Sequence, residues 1–166
     1  RGYDSAGISY LYNNEIKTVK EIGKIVNLEK KLDYNEESHL GIGHTRWATH
    51  GKPSVQNSHP HTKGDVTLVH NGIIENYSTL KEDMLKEGYT FYSDTDTEIA
   101  CAVIDYYLKK TGNIITALRE VQKKLKGSYA LGIIIKGDNN NLYAMRKDSP
   151  LIIGVSDNEN FIASDV

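Results

Sequence analysis

Cysteine is almost missing from these 166 residues: the single thiol, Cys101, excludes an internal disulfide framework and any zinc site built from several thiolates. One thiol suits a reducing compartment. An excess of charge of either sign is missing as well, with 20 basic side chains against 22 acidic ones and a formal net charge of −2. That balance lacks the basic surplus with which nucleic-acid binders neutralise phosphates. Long hydrophobic runs are also absent. The longest uncharged apolar stretch, residues 131–135, falls far short of the roughly 20 residues that cross a bilayer, and no signal peptide is recognisable. A cytoplasmic protein with neither nucleic acid nor membrane as partner is the expectation. There is no internal repeat and no low-complexity linker, so one domain around one core is the simplest organisation. Because the chain opens on Arg1-Gly2-Tyr3 rather than on methionine and stops at Val166, it reads as a fragment of a longer protein.

What is present divides into strands, then helices, then strands. Residues 6–12 and 16–22 flank Asn13-Asn14 and predict a hairpin. Further strands are expected at 39–45 and 66–71, on either side of a long connection rich in Pro, His, Gly and Ser. Residues 77–86 predict a helix with Tyr77, Leu80 and Met84 on one side and Gly88 as its stop. Residues 114–126 predict another, with Ile114, Leu118, Val121 and Leu125 aligned ahead of Gly127. Between them, Thr95-Asp96-Thr97-Glu98 has the form of a capping box opening a helix to about residue 108, apolar on most sides. Runs at 128–135, 141–146, 151–155 and 161–163 are strand-like. The order implies an α+β domain of two sheets covered by helices.

Polar chemistry gathers between residues 41 and 72, where His44, Arg46, His50, His59, His61 and His70 accompany Trp47, Thr49 and Asn71. Composition leaves several readings open. His59-Pro60-His61, with His70 and Asp65 nearby, offers a metal centre; equally, the histidines stack and hydrogen-bond within a loop and do nothing else.

Longer strings are more specific. Arg1-Gly2-Tyr3-Asp4-Ser5-Ala6-Gly7, His44-Thr45-Arg46-Trp47-Ala48-Thr49-His50-Gly51 and His70-Asn71-Gly72-Ile73-Ile74-Glu75-Asn76 resemble the glutaminase domain of the glutamine:fructose-6-phosphate amidotransferase family. Thr95-Asp96-Thr97-Glu98, Gly127-Ser128-Tyr129-Ala130, Ser149-Pro150-Leu151 and Phe161-Ile162-Ala163-Ser164-Asp165 follow in the family's order, so the resemblance spans the chain. Purine-pathway amidotransferases and asparagine synthetases are expected to carry different residues around Tyr3-Asp4 and Trp47.

The resemblance implies a four-layer αββα sandwich of the N-terminal-nucleophile type, here lacking its first strand. It implies a nucleophilic cysteine upstream of Arg1, with its own α-amine as base. That cysteine is not in the sequence, so the fragment is expected to be inactive. Cys101 reads as a core thiol, inside a helix and without a neighbouring histidine to activate it.

The resemblance further implies that ammonia from L-glutamine passes to a separate sugar-phosphate isomerase domain making glucosamine 6-phosphate. It implies no metal or other cofactor, and a homo-oligomeric parent. Among site residues, Arg46 with the Thr49 hydroxyl would hold the glutamine carboxylate, or Arg46 forms a surface ion pair. Asp96 would hold the α-ammonium, or it favours the positive end of its helix. Asn71 and the Gly72 amide would stabilise the oxyanion, or they form only an Asn-Gly turn. Trp47 and His50 belong to a lid, Arg1 lies near the nucleophile, and His59 is the likeliest of the remaining histidines to touch the site. Two rivals stand beside this reading: a metal-dependent hydrolase using the His-rich loop, and a noncatalytic glutamine-binding module.

Overall fold

The structure, a computed structural model, describes residues 4–47 and 51–165. The chain opens with β1 (Ser5–Tyr12) and β2 (Glu15–Ile22), paired antiparallel in a register that sets Ser5 against Ile22 and Tyr12 against Glu15. Asn13 and Asn14 make the turn with φ of 51° and 62°. Both central residues of a two-residue hairpin of this twist need positive φ, which asparagine tolerates. After the short α1 (Ile25–Glu29), β3 (Gly41–Arg46) pairs with the other edge of β1, giving a sheet of order β2-β1-β3.

A second sheet of order β4-β5-β6-β7 comprises β4 (His61–Lys63), β5 (Val66–Ile74), β6 (Gly127–Ile135) and β7 (Tyr143–Lys147). Its two long central strands pair over their full length, from Val66 opposite Ile135 to Ile74 opposite Gly127. One face of this sheet is covered by α2 (Tyr77–Lys86), α3 (Asp96–Thr111) and α4 (Ile114–Lys124), with α3 lying against β4 and β5. The first ten residues of α3 are all buried; Ala100, Cys101 and Ala102 are small enough to bring its backbone close to the sheet. Cys101 Sγ donates to the carbonyl of Val66 at 3.1 Å, and burial pushes its pKa up. On the other side, β3 faces β5 and β6. A Cβ added at Gly132 would meet Ile162 at 3.0 Å and Ile42 at 3.9 Å. The layers are thus helices, sheet and sheet, with α1 contacting β1 and β2 of the far sheet. A hairpin of β8 (Ile152–Val155) and β9 (Asn160–Ala163) closes the chain beside β6.

Helix ends depart from expectation in two places. Gly88 does stop α2, with φ of 86° and Tyr89 N bonded to the Met84 carbonyl. Gly127 does not stop α4: that helix ends at Lys124, Leu125 is already extended, and Gly127 begins β6. The Thr95 hydroxyl accepts from Glu98 N as expected of a cap. Glu98, however, does not complete the box. Its carboxylate accepts from the backbone amides of Tyr92 and Ser93 and from the Ser93 hydroxyl, and pairs with Lys63 at 2.8 Å. Three donors and a cation outweigh the single amide that a capping box offers. Sequence reasoning passed over α1 and β4, because five and three residues are too few to show a period.

Candidate active site

The site forms where β3 and β5, from facing sheets, run toward the start of α3. On β5, His70 and Asn71 are consecutive and so point to opposite faces. His70 is buried, whereas Asn71 is exposed. Three residues beyond Asn71, the Ile74 amide donates to Asp96 Oδ2 at 2.8 Å. Asp96 is the first residue of α3 and only 5 % exposed. This bond ties the acid to β5, and its Oδ1 lies 3.7 Å from His70 Nδ1.

Thr97 joins the remaining parts. Its Oγ1 stands 2.7 Å from His59 Nε2 and 3.0 Å from His70 Nδ1. His59 stacks on His44 with ring centroids 4.3 Å apart and meets His61 edge-on at 5.1 Å. His61 in turn bonds the Thr95 hydroxyl at 3.1 Å and the Tyr92 hydroxyl at 3.3 Å. The His59 backbone sits so near β1 that a Cβ at Gly7 would overlap its carbonyl, which accounts for a glycine in that strand.

Burial governs the charge of this network. It lowers His44 to about 4, with Arg46 among the neighbours that add to the effect, and it holds His59 well below the usual imidazole range. His61 is lowered to about 2 by burial and then by Lys20. These three rings are therefore neutral at pH 7. Among the described residues, no group of three His, Cys, Asp or Glu side chains is placed to hold a metal ion.

Arg46 ends β3 with 3 % of its surface exposed, so it is no surface ion pair. It donates to the Gly51 carbonyl at 3.1 Å and lies 3.5 Å from Asp4 Oδ1. Trp47, next to it, is 71 % exposed. A cavity of about 360 Å³ opens between the sheets, lined by His44, His70, Asn71, Gly132, Ser164 and Asp165 among others. Asn71 is thus brought to a cavity with His44 and His70, and Asp96 and His59 join it through His70 and Thr97. Arg46, Trp47 and Gly72 do not line it. Asn71 and Gly72 form no turn; both lie within β5, opposite Ala130 and Tyr129. Gly72 has φ of 122°, and a Cβ there would run into the Ser128 carbonyl. Arg1, Thr49 and His50 lie outside the described residues.

Sequence reasoning missed Thr97 and Asp4 as partners. Thr97 gives no signal of its own beyond standing beside Asp96 in the cap.

The family model described as a glutamine amidotransferase domain matches residues 44–166, and the chain belongs to that family. Over its whole length it is 52 % identical to the glutamine–fructose-6-phosphate aminotransferases (isomerizing) of Clostridium tetani and Pyrococcus horikoshii, spanning 28 % of each. Among solved structures, the glutamine phosphoribosylpyrophosphate amidotransferase of B. subtilis matches 98 % of the chain, and 36 % of its own length, with TM-score 0.80 at 24 % identity. A predicted glutamine amidotransferase from Pseudomonas aeruginosa matches with TM-score 0.58 at 17 % identity, over 98 % of the chain and 77 % of its own. These neighbours share the fold of the N-terminal-nucleophile amidotransferases.

Proposed function

We propose that residues 1–166 are the glutamine-binding and oxyanion-stabilising part of a glutaminase domain in an enzyme that aminates fructose 6-phosphate to glucosamine 6-phosphate. One observation carries the reading. Asp96 is fixed to β5 by the Ile74 amide, and the same strand presents Asn71 to a cavity between the sheets.

In this assignment Asp96 Oδ1 receives the α-ammonium of glutamine, and Arg46 with Thr49 takes the carboxylate. Asn71 and the Gly72 amide meet the amide oxygen as it becomes negative. His59 positions Asp96 through Thr97, Trp47 and His50 cover the bound substrate, and Arg1 lies beside the nucleophile. The thiolate of Cys101 is disfavoured by burial, and its sulfur already donates to backbone carbonyls. The nucleophile, with an α-amine as its base, then comes from sequence beyond these 166 residues. Ammonia passes to a separate sugar-phosphate isomerase domain, in a homo-oligomeric parent.

Ammonia release from glutamine tests this in three proteins: the full gene product, its Cys101→Ala variant, and residues 1–166 alone. The variant is expected to stay within about twofold of the full protein, and the segment alone to show no turnover. A folded Cys101→Ala variant without activity would move the nucleophile to Cys101 and overturn the assignment.

A further inference from the structure

Asn57 lies in the connection between β3 and β4, two residues before His59, and is only 3 % exposed. Both polar atoms of its side chain are used. Nδ2 donates to the Lys52 carbonyl at 2.9 Å and lies 3.3 Å from Asp94 Oδ2, while Oδ1 accepts from the Asp94 amide at 2.9 Å. Its own amide donates to Ser54 Oγ at 3.1 Å. A buried asparagine bonded in this way clasps the backbone of residues 51–57 to the segment that leads into α3.

Gly51 is the tightest point of the clasp. It has φ of 77°, and a Cβ there would lie 2.5 Å from Asn57 Nδ2 and 3.0 Å from Asp94 Cβ, so a residue without a side chain is required. The Gly51 carbonyl in turn accepts from Arg46 Nη2 at 3.1 Å. On the other side of the clasp, Asp94 stands just before the cap Thr95 and before Asp96, the first residue of α3. One side chain thus connects the carbonyl that orients Arg46 with the helix start that carries Asp96.

We propose that Asn57 is a positioning residue for substrate recognition: clasped to Asp94, it sets Arg46 relative to Asp96 and so fits the site to an α-amino acid bearing both a carboxylate and an ammonium group. This rests on the reading of Arg46 and Asp96 as the groups that hold glutamine. A guanidinium binds a carboxylate through two parallel bonds, so it depends on orientation more than a point charge does. Displacing the Gly51 carbonyl turns that fork and weakens its hold on the α-carboxylate. The γ-amide end of the substrate, at Asn71, does not depend on the clasp.

The test measures ammonia release by the full gene product from L-glutamine and from its α-carboxamide, which keeps the ammonium and the γ-amide but has no carboxylate. Asn57→Asp preserves size and sets two carboxylates against each other at the clasp. It is expected to lower kcat/KM for L-glutamine roughly tenfold, through KM, and kcat/KM for the carboxamide by less than about twofold. A general loosening of the fold would lower both alike. Asp94 is exposed, and Asp94→Ala, which removes one bond of the clasp, is expected to lower the preference for L-glutamine roughly threefold. It decides by the same comparison if Asn57→Asp does not fold. An unchanged preference, or an equal loss for the two substrates, would overturn the proposal. No turnover of L-glutamine by the unaltered protein would overturn the glutaminase reading, and the proposal with it.

Discussion

Asn71 is exposed at a cavity and Arg46 is buried against Asp4, so the two residues should fail differently when truncated. An oxyanion donor acts only when charge develops. Asn71→Ala in the full protein is therefore expected to lower kcat for glutamine hydrolysis by roughly 10² to 10³ with little change in KM. A carboxylate clamp acts equally in ground and transition states, so Arg46→Ala is expected to raise KM. Steady-state kinetics on both variants, with folding checked by circular dichroism, separates the roles. If Asn71→Ala raised KM and spared kcat, Asn71 would be a positioning residue only. At this scale the sequence was legible wherever a residue's chemistry is local. Cys101 in an apolar helix was readable as a core thiol. Thr97 was not, because its partners His59 and His70 come from 38 and 27 residues away and nothing in the string joins them.

Among the elements, long periodic segments were legible and short or tertiary-driven ones were not. Helix α2 has the bounds its pattern implied, and the β1–β2 hairpin turns at Asn13-Asn14. The end of α4 was misplaced because Gly127 reads as a helix stop although it opens a strand. Glu98 was misread because a capping box is a local rule, and the carboxylate found stronger donors in the segment before the cap. Glu98 is fully buried while it holds Lys63 and that segment, so its loss should cost far more than a cap. Glu98→Ala is expected to destabilise the domain by about 3–5 kcal/mol, the usual range for removing one partner of a buried pair. Urea unfolding measures it, and a change below about 1 kcal/mol, typical of a cap alone, would show that the clamp contributes little.

For the whole molecule, the consequence of a histidine network buried neutral is acid sensitivity. His44, His59 and His61 have folded pKa values depressed below the unfolded 6.5. Below pH 6.5 the unfolded chain binds protons that the folded one refuses, so stability is complete above that pH and lost as pH falls toward 4. Each ring contributes at most about 1.4 kcal/mol per pH unit in that window. Urea midpoints at pH 7, 6 and 5 should fall steadily, and a midpoint unchanged between pH 7 and 5 would refute the assignment of neutral rings. The sheet-and-helix order was readable from the alternation of patterns. The closeness of the rings was not, since it depends on β3 facing β5 across two sheets.

Thr97 imposes one further condition, on where individual hydrogens sit. Its hydroxyl has a single hydrogen, yet it stands between two imidazole nitrogens. His59 Nδ1 is buried without a hydrogen-bond partner among the described residues. A bare acceptor is tolerated there more readily than a stranded N–H. The hydrogen of His59 then belongs on Nε2, which donates to the Thr97 oxygen, so the hydrogen of Thr97 is directed away from His59, where His70 Nδ1 and Asp96 Oδ1 both stand within 3.5 Å. Nitrogen-15 NMR of the imidazoles at pH 7 should find His59 protonated on Nε2, and a hydrogen on Nδ1 would make Thr97 the donor to His59 instead.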